Sequence, residues 1–375
     1  MTTTTPIDMP PSQPMERATT LPPHYYTDAD IWRVEQEMIF RRQWFAVGRA
    51  DQVAEAGDFF TFDLVGTPMI IVRGKDGVPR AISAACLHRF MPVAEGSGNR
   101  TSFQCPYHLW TYGLDGQLIG APEMERAEGF EKADCRLPEI RLEVWEGFVF
   151  VNLDRDAEPL APQLTTLAGK LREYRLGDMR TAAVLDFPVS GWNWKITVEN
   201  GVESYHHIGT HRDTLEPFFP GHFTSHDDVD GPYIYHIIPT RDRVRLPAKF
   251  PVPADLRDDQ WSQLTVAAVQ PSMFLAAQPD EMDWLQIIPG ATADSHTARW
   301  WICYRTDAFD DPDFETKLEG SKAVLTAVHL QDIDACQAVW RGVTSQYAAA
   351  GRLSHLEKGV WQFDEWMKRQ IARAS

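Results

Sequence analysis

The hydrophobic pattern of this chain changes period more than once. Between 27 and 45, in T-D-A-D-I-W-R-V-E-Q-E-M-I-F-R-R-Q-W-F, Ile31, Val34, Met38 and Ile39 recur at helical spacing. Thr27 and Asp28 stand in front as caps, so the segment predicts an amphipathic helix. From 57 to 153 the texture becomes short β-rich runs broken by turns. F-F-T-F-D-L-V-G-T-P-M-I-I-V-R-G-K-D-G-V carries K-D-G-V as a hairpin turn, and G-F-V-F-V-N-L lies near the end. This block reads as a small antiparallel β domain. After Asp154, R-D-A-E-P-L-A-P is a linker pattern. Beyond it helices and strands mix. A-A-V-L-D-F-P-V, Y-I-Y-H-I-I-P, M-F-L-A-A-Q and H-T-A-R-W-W-I-C-Y predict strands, and W-N-W-K (192–195) also reads as one. Helical stretches run from about 312 to 342 and from about 355 to 372.

Composition narrows the class without naming it. A chain of 375 residues is long for one core, which favours two domains. The net charge of −17 argues against nucleic acid or an anionic membrane surface as a partner and is ordinary for solubility. No run of eighteen apolar residues occurs, and M-T-T-T-T-P-I-D-M-P-P-S-Q-P-M has neither the basic nor the apolar region of a signal peptide. It predicts a disordered arm, taken as 1–26. Five scattered cysteines do not make a disulfide framework and suit a reducing cytoplasm, with metal or buried roles.

The β block holds C-L-H-R-F-M-P-V-A-E-G-S-G-N-R-T-S-F-Q-C-P-Y-H-L-W, residues 86–110. Cys86-x-His88 is followed, after sixteen intervening residues, by Cys105-x2-His108. Two thiolates and two imidazoles on two hairpin-like loops close one metal site. A structural zinc commonly takes paired cysteines and then paired histidines. The mixed order here suits a [2Fe-2S] cluster with two cysteines on one iron and two histidines on the other, which raises the reduction potential. Gly96, Gly98, Pro92 and Pro106 supply the turns such loops need.

At these residues the chain resembles the α subunits of Rieske non-heme iron oxygenases. C-L-H-R and C-P-Y-H-L-W match the family pattern, with Leu109 where Gly is more usual. The resemblance extends over nearly the whole chain. It implies an α+β architecture: an N-terminal antiparallel β Rieske [2Fe-2S] domain (46–156), then a helix-grip, SRPBCC-like catalytic domain (157–375) with a mononuclear iron. The 27–45 helix is expected to pack on the latter.

E-N-G-V-E-S-Y-H-H-I-G-T-H (199–211) brings three histidines together. Ferrous oxygenases use two histidines and one carboxylate on one face of the iron, leaving positions open. Spacing alone favours His207 with His211, four apart on a helix face. The family pattern D/E-x-x-H-x4-H instead maps onto Glu203, His206 and His211, with a bend at Gly209, and leaves His207 as a pocket residue. The carboxylate comes from a late helix in the family. H-L-Q-D-I-D-A-C-Q-A-V-W-R-G aligns Asp332 with it, and Asp334 is the competitor. Gln331, Gln337 and Trp340 depart from the usual residues there.

By the same resemblance Glu203 links His206 to a Rieske histidine of a neighbouring subunit, and Asn200 matches an Asn near the iron. Glu at 203, where many members have Asp, resembles the branch acting on carnitine- and betaine-type quaternary ammonium substrates. The implied protein is a terminal oxygenase, a homotrimer or larger, hydroxylating an aromatic or other small organic substrate. Its electrons would start from NAD(P)H and arrive through a reductase, with or without a ferredoxin. Oxidative demethylation or C–N cleavage of a quaternary ammonium is the alternative. A bare electron carrier and a zinc-structured binding protein are the readings from other classes. Phe218, Phe219, Phe223, Tyr233, Tyr235, Phe274 and Trp284 are candidates for the pocket wall or for core.

Overall fold

A computed structural model describes residues 9–229 and 231–372. The chain divides into two compact units, Ala46–Glu158 and the remainder, Met1–Phe45 with Pro159–Ser375.

The smaller unit is antiparallel β structure. Its strands are β1 (Phe45–Arg49), β2 (Asp58–Leu64), β3 (Thr67–Arg73), β4 (Pro79–Ser83), β5 (Ser97–Asn99), β6 (Phe103–Gln104), β7 (Thr111–Tyr112), β8 (Leu118–Gly120), β9 (Glu139–Trp145) and β10 (Phe148–Asn152). Seven form one sheet in the order β1-β10-β9-β4-β3-β2-β5, and β6-β7-β8 form a second. The K-D-G-V turn joins β3 to β4: Gly77 takes φ +77°, and Arg73 and Pro79 remain paired across it. Phe59, Ile70, Val72 and Ile82 from the larger sheet and Phe103, Tyr112 and Leu118 from the smaller share one core. That core also holds Cys86 and Cys105.

In the larger unit, short α1 (His24–Thr27) leads into α2 (Ala29–Glu35), capped by the Asp28 carboxylate on the Asp30 amide at 2.7 Å. The single helix expected over 27–45 is therefore broken. A wider turn follows at Gln36–Phe40, where Met38, Ile39 and Phe40 are all buried. One face of an α-helix does not offer three consecutive positions to a core. The expected arm is also corrected over 9–26. Leu21, Tyr25 and Tyr26 pack with Trp192, Ile196 and Cys336, and Thr19 bridges to Arg352. Apolar L-P-P-H-Y-Y gains more from burial than a solvated arm would. Residues 1–8 of that arm lie outside the described residues.

After α3 (Leu160–Gln163) and α4 (Thr165–Leu171) comes β11 (Met179–Asp186), then α5 (Trp194–Gly201). Next are β12 (Ser225–His226), β13 (Tyr233–Pro239), β14 (Gln263–Val269), β15 (Met273–Ala277), β16 (Glu281–Pro289) and β17 (His296–Arg305). The 30-residue helix α6 (Phe314–Val343) and α7 (Lys358–Ala372) finish the unit. The strands make one antiparallel sheet, β11-β17-β16-β15-β14-β13-β12. W-N-W-K is not a strand. Asn193 caps α5 by accepting from the Lys195 amide at 3.0 Å, and its own amide donates to the carbonyls of Tyr26 and Ala293. A capping Asn overrides the aromatic strand preference of its neighbours. Among the described residues no helix is long and apolar enough to cross a membrane.

Candidate metal centres and the cavity beside them

In the smaller unit two loops have matching backbones. In one, the Cys86 amide donates to the Met91 carbonyl at 3.0 Å and the Phe90 amide to Cys86 at 2.9 Å. In the other, Cys105 donates to Trp110 at 2.8 Å and Leu109 to Cys105 at 3.0 Å. Both loops turn through a left-handed residue, Phe90 (φ 62°) and Leu109 (φ 63°). Such a residue is normally Gly because a Cβ is crowded there, which gives a physical reason for Gly at the Leu109 position elsewhere.

The loops bring the four expected side chains together. Both thiols are buried and unpaired by disulfide, and the imidazoles of His88 and His108 meet with centroids 4.5 Å apart. Trp110 stacks on His88 at 4.9 Å and 9°, fixing that ring, and the Tyr112 hydroxyl lies 3.3 Å from Cys86 Sγ. His88 Nδ1 is buried without a hydrogen-bond partner. A nitrogen withdrawn from water and left unsatisfied costs free energy unless something binds it. Two soft thiolates and two imidazoles, one with a spare buried lone pair, fit a [2Fe-2S] cluster.

The larger unit assembles the second set. A 3-10 turn at Tyr205–Ile208, closed at Gly209, carries His206 toward His211, and the long α6 delivers Asp332. One donor atom from each lies within 4.8 Å of the others. His211 Nε2 is 2.9 Å and His206 Nε2 3.6 Å from Asp332 Oδ1. The opposite ring nitrogens are both engaged. His206 Nδ1 donates to Glu203 at 2.6 Å and His211 Nδ1 to Gln331 Oε1 at 2.8 Å. Each neutral ring then turns its Nε2 lone pair on the same carboxylate. Three electron pairs converging on one point need a cation among them, and this donor set suits ferrous iron with open positions. Burial would raise the Asp332 carboxyl, but when no cation is bound and the imidazoles are protonated, the His211 hydrogen bond and the charges of both rings hold it below the ordinary range. It stays a carboxylate.

Asp334 is exposed on α6, two residues away from the triad. His207, the histidine that spacing favoured, is buried with Nδ1 donating to the Phe219 carbonyl at 2.9 Å. Burial first, and then the neighbouring His206, push it down to about 3, so it is a neutral packing group. Gln331, which had only marked a departure from the family, orients His211 and also accepts from Thr214 at 2.8 Å. Its one legible signal was a polar side chain next to the aligned Asp332.

Beside the triad lies a cavity of about 640 Å³. Asn200 and Gly201 from α5 line it, as do Leu264, Val266, Phe274, Leu285 and Trp300 from the sheet and Val324, Leu325 and Val328 from α6. Of the aromatic candidates only Phe219 and Phe274 face it. Phe218 and Phe223 are exposed, Tyr233 and Tyr235 are buried elsewhere, and Trp284 stacks on Trp301 at 5.1 Å. A strand alternates its faces, so Trp284 points away from the cavity that Asp283 and Leu285 line. The cavity's polar far end, with Lys249, Glu281, Asp283 and Ser321, was missed because β16 was missed. Carboxylates at 281 and 283 in an apolar run are the signal for it.

Known proteins share these features. Residues 175–373 match the model of the ring hydroxylating alpha subunit catalytic domain, and 43–139 that of the Rieske [2Fe-2S] domain. The chain belongs to the ring-hydroxylating α-subunit family, and the cofactors of its two domains are a Rieske cluster and a mononuclear iron. It is 35% identical over 194 residues to the carnitine monooxygenase oxygenase subunit of Acinetobacter pittii, covering 50% of this chain. The chain spans only about half of that relative, 52%. The chloroplastic choline monooxygenase of Spinacia oleracea is 27% identical over 392 residues, 99% of this chain and 84% of that one. The solved quaternary ammonium Rieske monooxygenase CntA has the same fold, with a TM-score of 0.83 at 23% identity over 96% of this chain and 99% of that one.

Proposed function

We propose that this chain is the terminal oxygenase of a multicomponent system that uses dioxygen to hydroxylate an aromatic or other small organic molecule. The observation that carries the reading is the triad His206, His211 and Asp332 opening onto a largely apolar cavity. In this reading Cys86, His88, Cys105 and His108 hold the cluster, and the triad holds the iron. When bound, the cluster supplies one-electron transfer and the iron supplies redox chemistry toward dioxygen.

The chain's own groups do the positioning. Glu203 keeps the proton of His206 on Nδ1, Gln331 does the same for His211, and both Nε2 atoms stay free to ligate. The apolar wall between Leu264 and Val328 excludes water and holds a hydrophobic substrate against the triad, with Asn200 as a nearby polar contact. Electrons from NAD(P)H arrive through a separate reductase, with or without a ferredoxin. The assembly is a homotrimer or larger in which Glu203 serves a contact with a neighbouring copy. The compartment is the cytoplasm, which five cysteines outside any disulfide suit.

A second reading has its own support. The carnitine and choline monooxygenases among the relatives, together with Glu at position 203, favour oxidative demethylation or C–N cleavage of a quaternary ammonium. Anaerobically purified protein should be coloured, with iron and acid-labile sulfide in the proportions of one [2Fe-2S] cluster plus one iron. Turnover under labelled dioxygen should put the label into a ring or alkyl product, or into the aldehyde or alcohol left by C–N cleavage. A colourless, zinc-loaded preparation would sink the oxygenase reading in favour of a zinc-structured binding protein.

A further inference from the structure

The far end of the cavity is built from charged groups, and they are unequally satisfied. Glu281 is saturated: Lys249 Nζ lies 2.6 Å from its Oε2, the Tyr304 hydroxyl 2.5 Å and the Ser321 hydroxyl 2.7 Å. Lys249 also bonds Ser321, and its backbone amide, with that of Phe250, is pinned by Asp280. The lysine is thus bound to Glu281 and Ser321 and makes no hydrogen bond to Asp283 Oδ1.

Asp283 is different. It lines the cavity, is only 7% exposed, and its Oδ1 has no hydrogen-bond partner. Burial, then the charge of Glu281 and a hydrogen bond shared with it, push its carboxyl well above the ordinary range, and the charge of nearby Lys249 only partly opposes this. A buried carboxyl in this state gains from any ligand that brings a compensating positive charge and a donor. One inward position along β16, Phe274 and Trp300 flank Leu285 with ring centroids 5.8 Å apart, and they offer an apolar body aromatic walls between Asp283 and the triad.

The fold also sets the distance from Asp283 to the triad. Ser321 touches Glu281, and Asp332 is eleven residues further along α6, about 16 Å at the helical rise. Along β16 the register runs from Glu281 beside Tyr304 to Leu285 beside Trp300, whose ring lies 5.8 Å from that of His329. Asp283 is therefore one inward position nearer the triad than Glu281, leaving roughly 10 Å between them.

We infer that Asp283 is the anchor for a protonated amine, so that the cavity takes an elongated substrate with a cationic N–H group at one end and an apolar body reaching the triad. This rests on the oxygenase reading for its triad end only. The ligand must donate a hydrogen bond to Asp283 Oδ1, which a quaternary ammonium has no proton to do. The carbon offered to the triad then lies many bonds from the nitrogen.

Isothermal titration of the anaerobic holoenzyme with phenylbutylamine, phenylbutanol, phenylbutyrate and phenylbutyl-trimethylammonium tests this. The amine should bind roughly tenfold or more tighter than each of the others, as expected for a charge-assisted hydrogen bond. Asp283→Asn should erase that preference while leaving affinity for the alcohol near wild type. Its Tm should hold or rise, because the change replaces one of two buried, mutually repelling carboxyls by an amide that can donate to Glu281. His211→Ala, which breaks the triad, should keep the amine preference, so failure of the oxygenase reading and failure of this anchor give different results. Equal or tighter binding of the alcohol, the carboxylate or the trimethylammonium by the wild type would overturn the proposal, as would an amine preference surviving in Asp283→Asn.

Discussion

The two candidate metal centres use histidines in equal number but are constructed differently. The candidate cluster ligands come from two loops within 23 residues of chain, each closed by its own backbone hydrogen bonds around a left-handed residue. The triad joins a 3-10 turn near 206 to a helix position 121 residues beyond His211, and it is held by side chains rather than by backbone. A local site tolerates changes far away in the chain. A distributed one depends on the sheet and α6 keeping their register.

The comparison breaks most sharply at Asp332. Asp332→Ala should remove the mononuclear iron and lower product formation by about a thousandfold or more while the cluster's visible absorbance persists. Asp334→Ala, on the exposed side of α6, should change neither. The mirror experiment is Cys105→Ala, which should bleach the cluster and stop turnover with electrons from a reductase. Iron analysis should still find the mononuclear metal, and a loss of both metals together would show the sites to be one cooperative structure.

Smaller effects sharpen the role of the supporting residues. Glu203→Ala should weaken iron binding about a hundredfold and Gln331→Leu about tenfold, the range for groups that orient a ligating histidine. Metal titration of the apo protein checks both, and equal effects would mean that the two imidazoles are not separately oriented. The smallest change is expected at Leu109→Gly. Relief of the left-handed conformation is offset by the freedom Gly gains when unfolded, so denaturation should show the smaller unit stabilised by less than about 1 kcal/mol.

The pattern of residues carried the strands well where burial alternates or runs unbroken. Y-I-Y-H-I-I-P became β13 over Tyr233–Pro239, and H-T-A-R-W-W-I-C-Y became β17. It failed where local chemistry competes with periodicity. Asn193 turned an aromatic strand pattern into a helix start, and the carboxylates of β16 disguised a strand buried on both faces.

For the candidate sites, the convergence of Cys86, His88, Cys105 and His108 was readable from spacing because the turns that hold them are coded beside them. Spacing favoured His207, whereas the structure, with a 3-10 turn in place of a straight helix, brings His206 to His211 and Asp332. Family resemblance, not periodicity, brought His206 forward.

The sequence by itself determined the two metal-binding residue types, the hairpins around Cys86 and Cys105, and the amphipathic helices. Those depend on neighbours a few residues apart, through dihedral preference and short-range hydrogen bonding. Only the tertiary structure decided that His211 faces Asp332, that Gln331 supports it, and that Asp283 is buried with one oxygen unsatisfied. These facts come from which strand lies beside which and how far α6 runs across them, and no local preference encodes either.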